Sequence, residues 1–126
     1  MSLVVGTNRR GLKGNNMALK TVSLDLPPAA EGRCWLAMVP HGWQKDADAT
    51  TAIKAAAKRA SYVLANHAFD FLLFDAPVDA WVDGIGIVRW DLPAEGATPA
   101  SAAEVGCGQV TRTAARRVRI VGWKAV

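Results

Sequence analysis

Apolar and polar residues alternate along the first ordered-looking stretch of the chain, with Val22, Leu24 and Leu26 on one side and Thr21, Ser23 and Asp25 on the other. A period of two belongs to a half-buried strand, so Lys20–Leu26 is expected to form one, stopped by Pro27 and Pro28. Arg33–Val39 is a nearly continuous apolar run bounded by Gly32 and Pro40, the pattern of a central strand covered on both faces. The two are expected to pair across the short link Ala29–Gly32. The period then lengthens. From Asp46 or Asp48, either able to cap with its carboxylate, Ile53, Ala56, Ala57, Ala60, Val63, Leu64 and His67 recur at three- and four-residue steps, while Lys54, Lys58, Arg59 and Ser61 fall elsewhere. This predicts a helix through about Asn66, whose small alanines let it lie close to a sheet.

Beyond the helix, Phe69–Phe74 reads as a strand interrupted by Asp75-Ala76-Pro77. Val78–Val82 and Ile85–Trp90 flank Asp83-Gly84, a dipeptide suited to a type I′ hairpin; one long bulged strand is the rival parse. Leu92–Gly106, rich in Pro, Ala, Ser and Gly, reads as a surface loop, and Val118–Val126 as a closing strand. The order β-β-α-β-β-β implies an α+β domain, one long helix packed on one face of a mostly antiparallel or mixed sheet of about five strands.

Composition bounds this picture. The 126 residues, 51% hydrophobic and 21% charged, suit one packed domain rather than a disordered or low-complexity chain. No apolar stretch approaches the roughly 18 residues of a membrane-spanning helix. Residues 1–16, rich in Gly, Asn and Arg, are expected to be a flexible basic arm, with residues 17–126 as the domain and Met17 a candidate internal start. Arg9-Arg10-Gly11-Leu12-Lys13 is similar to a twin-arginine export signal, but Gly14-Asn15-Asn16 replaces the apolar segment that must follow. A cytoplasmic chain is therefore expected, with Cys34 and Cys107 as buried free thiols.

The net charge of +4 is unevenly spread. Residues 1–20 carry +4, residues 66–104 carry −6, and residues 105–126 carry +5. Arg112, Arg116, Arg117 and Arg119, together with nearby hydroxyls and Trp123, form an inventory suited to phosphate contacts and base stacking, and the helix's Lys54, Lys58 and Arg59 could complete a groove. A charged edge strand is the structural alternative. Asp75, Asp79 and Asp83 read as turn-forming and solubilising residues, because Pro77 prevents a shared helical face and no calcium-loop spacing is present.

His41 and Trp43, at the junction after Val39, are candidates for the mouth of a ligand pocket. His67 needs only the helix C-terminus to explain it. Cys34, His41, His67 and Cys107 match no zinc spacing, no phosphate loop is present, and no cofactor is implied. Five Trp exceed what a small core holds, so Trp81, Trp90 and Trp123 are candidate interface residues. No nucleophile, base and orienting group can be assembled, which favours a non-enzyme. The expected function is a binding or assembly domain, self-associating as a homo-oligomer, most simply a dimer, through a sheet face or edge, or engaging another protein. Nucleic-acid binding by the Arg-rich strand is the alternative, and a small-ligand pocket at His41 the third reading.

Overall fold

The computed structural model describes residues 20–60, 66–91 and 102–126. The expected arm lies outside these residues, as do Val63 and Leu64 of the expected helix and most of the expected loop. Among the described residues the elements run β1 (Arg33–Val39), β2 (Gly42–Asp46), α1 (Ala49–Arg59), β3 (Ala68–Pro77), β4 (Ala80–Val82), β5 (Ile87–Arg89), β6 (Ala103–Arg112) and β7 (Val118–Ala125). Five strands form one antiparallel sheet in the order β2-β1-β3-β6-β7, and β4 with β5 forms a separate hairpin. One helix and a mostly antiparallel five-stranded sheet make the fold α+β, as the periodicity implies.

β1 is central, as its apolar run predicts, with a layer on each side. Trp35, Ala37 and Val39 join the buried face of α1 (Ala49, Ala52, Ile53, Ala56, Ala57), together with Phe69, Phe71, Leu73, Val110 and Ile120 from the other strands. Cys34 and Leu36 project oppositely and pack with Ala76, Ala80 and Ile87, so the hairpin covers this corner of the second face. Asp48 caps α1 by accepting from the Thr51 amide at 2.9 Å.

Several expected elements differ. Thr21–Leu26 keeps its alternation, with Val22, Leu24 and Leu26 against the core and Thr21, Ser23 and Asp25 exposed, yet it is not a strand. It does not pair with Arg33–Val39; Val22 donates one bond to the Ile120 carbonyl in β7, and Trp35 Nε1 donates to the Pro27 carbonyl. Burial of one side alone produces the alternation, and a ladder is not needed. The strands that pair with β1 are instead β3 and β2, the latter with Val39 opposite Gly42 across the two-residue turn Pro40-His41.

The helix ends at Arg59 because Ala60 turns to extended geometry (φ −59°, ψ 134°), and Asn66 is already left-handed at φ 67°. His67 is therefore exposed beside β3 rather than on the helical stripe. Val82 lies opposite Ile87, so the hairpin is real but its loop is Asp83–Gly86, closed by Asp83 Oδ1 accepting from the amides of Ile85 and Gly86. β6 begins at Ala103, inside the expected loop.

Candidate functional site

The register sets the two ends of the sheet. Val39 and Gly42, Ala68 and Thr111, and Arg112 and Val118 are cross-strand neighbours at one end, where α1 also finishes. Arg33 and Pro77, Asp75 and Ala103, and Gly106 and Ala125 lie at the other. The cations at the first, turn end are Lys58, Arg59, Arg112, Arg116, Arg117 and Arg119. Asp46, Asp48, Asp75, Asp79 and Glu104 lie toward the opposite end, where Arg33 pairs with Asp75 at 3.0 Å and Arg89 lies 3.8 Å from Asp79. The charges of the described residues thus form a polarity along the strands.

Arg112, only 9% exposed, donates through Nη1 to the carbonyls of Ala57 (3.0 Å), Lys58 (3.2 Å) and Ala60 (2.8 Å). A helix leaves its last carbonyls without intrahelical donors, and here a guanidinium from β6 supplies them. Arg116, exposed and left-handed at φ 63°, donates to the Lys58 carbonyl as well. Arg117 and Arg119 are exposed; the Arg117 amide donates to Thr113 Oγ1, and Arg119 donates to Thr21 Oγ1 at 3.3 Å. The structure therefore brings Arg112 and Arg116 to the helix terminus, and Arg112 faces inward while Arg116, Arg117 and Arg119 face out.

Beside β2 lies an open cleft of about 850 Å³. Its lining includes His41, Trp43, Arg59 and Asp83, from the β1–β2 turn, β2, the end of α1 and the hairpin tip. His41 occupies the second turn position with φ 61°, following Pro40, the arrangement of a type II turn. Trp43 is half-buried and packs against the hairpin-side core. The amides of Ile85 and then Gly86 lower the Asp83 carboxyl from its usual value. Lys45 Nζ donates to the carbonyls of Val78 (2.6 Å) and Ala80 (2.8 Å), which ties β2 to the base of the hairpin. Among the described residues no hydrogen bond or ion pair engages the Arg59 side chain.

The candidate interface tryptophans part company. Trp123 stacks on Phe71 (centroids 6.1 Å apart, planes 9° apart) and packs against the main core. Trp81 and Trp90 form a tilted pair at 5.7 Å on the hairpin, with Trp90 74% exposed and Trp81 Nε1 buried without a hydrogen-bond acceptor. Cys34 and Cys107 are buried free thiols, as expected, and burial pushes both above the ordinary thiol range. Among the described residues no cluster of three metal-ligating side chains occurs, and no helix is long and apolar enough to cross a membrane.

Gln44 is the residue that sequence reasoning did not single out here; Arg59 was expected in a phosphate groove and Asp46 as a helix cap, a place Asp48 takes while Asp46 accepts from the Asp48 amide. The signal for Gln44 was the Pro40-His41 pair, a turn signature that makes Gly42–Asp46 the return strand of a hairpin. No protein-family model, curated protein or solved structure matches this chain.

Proposed function

We propose that this protein is a small non-enzymatic assembly domain that pairs with a second copy of itself along the outer edge of β2. The observation behind this reading is that edge, because among the described residues β2 has only β1 as a sheet neighbour. The two-residue turn makes Val39 and Gly42 a hydrogen-bonded pair, and the antiparallel alternation then directs the backbone N–H and C=O of Trp43 and Lys45 outward. A second β2 laid antiparallel about a twofold axis at Gln44 sets each Trp43 opposite a Lys45. The outward groups of the two strands meet in register, and the contact closes as a dimer.

Charge supports the same arrangement. Arg59 stands beside the Gly42 end of β2, and Asp46 closes the other end. Antiparallel pairing places each Arg59 near Asp46 of the second copy, and the cleft is the space the second strand enters. A lysine on an edge strand commonly guards it against pairing, but Lys45 is folded back onto the hairpin carbonyls. The opposite edge, β7, already receives the Val22 amide at its Ile120 carbonyl.

Sedimentation velocity over a concentration series tests this, joined to amide exchange. Dimer formation with concentration, accompanied by slowed exchange at the Trp43 and Lys45 amides, is the expected result. A monomer at every concentration, or a dimer in which those two amides exchange as fast as in the monomer, contradicts it.

A further inference from the structure

We infer that the turn end of the domain is a nucleic-acid surface that grips the phosphate backbone through Lys54, Lys58, Arg116 and Arg117. The sequence alone points to the β6–β7 arginines as a run, and the structure changes the set. Arg112 leaves it, since its guanidinium is buried on three helix carbonyls. The helix lysines, which the sequence offers on condition that they lie nearby, stay in it, because the bond from Arg116 to the Lys58 carbonyl joins segments 58 residues apart into one exposed surface.

Helix capping does not account for this many cations. The C-terminal end of a helix carries about half a negative charge, and Arg112 with Arg116 already supplies two positive ones at its carbonyls. Lys54 and Lys58 add to the excess, and both are exposed and four residues apart on one helical face. Like charges at that spacing repel, costing a few tenths of a kcal/mol. The ion pairs Arg33–Asp75, Arg89–Asp79 and Arg89–Asp91 all belong to the opposite half of the domain.

Among the described residues the acids that the register and the cleft bring toward this end are Asp70 and Asp83, beside the further cations Arg59, Arg112 and Arg119. Asp70 accepts from Gln109 Nε2 at 3.3 Å within the sheet, and Asp83 is turned into its own loop by two amides. Neither is bonded to the four cations. An array of guanidinium and ammonium groups without base-reading elements positions a phosphate chain and is indifferent to its sequence. The occupant is therefore a nucleic-acid backbone, and the strand type is decided by experiment.

The test is fluorescence anisotropy of the full 126-residue chain with labelled single- and double-stranded DNA and RNA of mixed sequence, over a salt series. Four phosphate contacts predict that log K falls against log salt with a slope of roughly −3 to −4. The double variant Lys58→Gln with Arg117→Gln, both exposed, is expected to weaken binding at least tenfold and to reduce the slope by about two. Lys124→Glu removes the same net charge at the far end of β7 and is expected to bind nearly as the parent does. Absence of binding at low salt overturns the inference. So does binding that the double variant leaves intact, which would assign the contact to another part of the chain, or an equal loss in Lys124→Glu, which would reduce the effect to net charge.

Discussion

Single side chains close the ends of elements here, and their protonation sets where they work. Asp48 is held below the usual carboxylate range first by the Thr51 hydroxyl and then by its amide, and Asp83 by the amides of Ile85 and Gly86. A native pKa lowered in this way adds stability above the unfolded value and loses it as pH falls through the native one. Stability is thus expected to decline from roughly pH 4 downward, and the double variant Asp48→Asn with Asp83→Asn to flatten that decline in urea melts across the acid range. An unchanged acid limb would remove both caps from the account. Asp48 was legible in the sequence because capping is local, with a carboxylate just before an apolar period. Arg112 was not: nothing within a few residues of it shows that its guanidinium satisfies a helix end 52 to 55 residues earlier in the chain.

Elements with one buried face were legible from period alone, and elements shaped by close approach were not. α1 and β1 follow their apolar patterns to within a residue or two at most ends, while Thr21–Leu26 shows that alternation reports burial and not hydrogen bonding. β6 was read partly as loop because Leu92–Gly106 is rich in Pro, Ala, Ser and Gly, yet Gly106 and Gly108 both lie within the strand. In the sheet they are spacers: a Cβ on Gly106 would run into the Trp123 ring, and one on Gly108 into the Gly122 carbonyl and to within 2.7 Å of Phe71 Cζ. The stacked Phe71–Trp123 pair occupies the room that two missing side chains leave. Gly108→Ala is accordingly expected to cost about 1–3 kcal/mol by overpacking, read as a lowered midpoint in chemical denaturation. A neutral or stabilising result would mean that β6 carries its glycines for some other reason. The β2 edge escaped detection for a related reason, since a five-residue strand half-buried throughout has too little contrast to announce itself.

At the scale of the whole molecule, the antiparallel register gathers Lys58, Arg59, Arg112, Arg116, Arg117 and Arg119 at one end and many of the described acids at the other. That polarity links the two proposals. Copies joined antiparallel through β2 carry their basic ends at opposite poles, and each acidic end of β2 then lies beside the Arg59 of the neighbouring copy. The site was legible in its parts, as the arginines, His41 and Trp43 were all named by type and spacing. Its assembly was not, because the sheet order β2-β1-β3-β6-β7 places the edge and the cations, and order is set by long-range pairing. The pairing itself is tested most directly at Gln44, which faces its own counterpart across the proposed twofold axis, in a position where two like charges repel. Gln44→Glu and Gln44→Lys should each be monomeric alone, and an equimolar mixture should return the dimer mass in sedimentation equilibrium. Two variants that each retain the dimer, or a mixture that remains monomeric where the parent dimerises, would contradict assembly through β2.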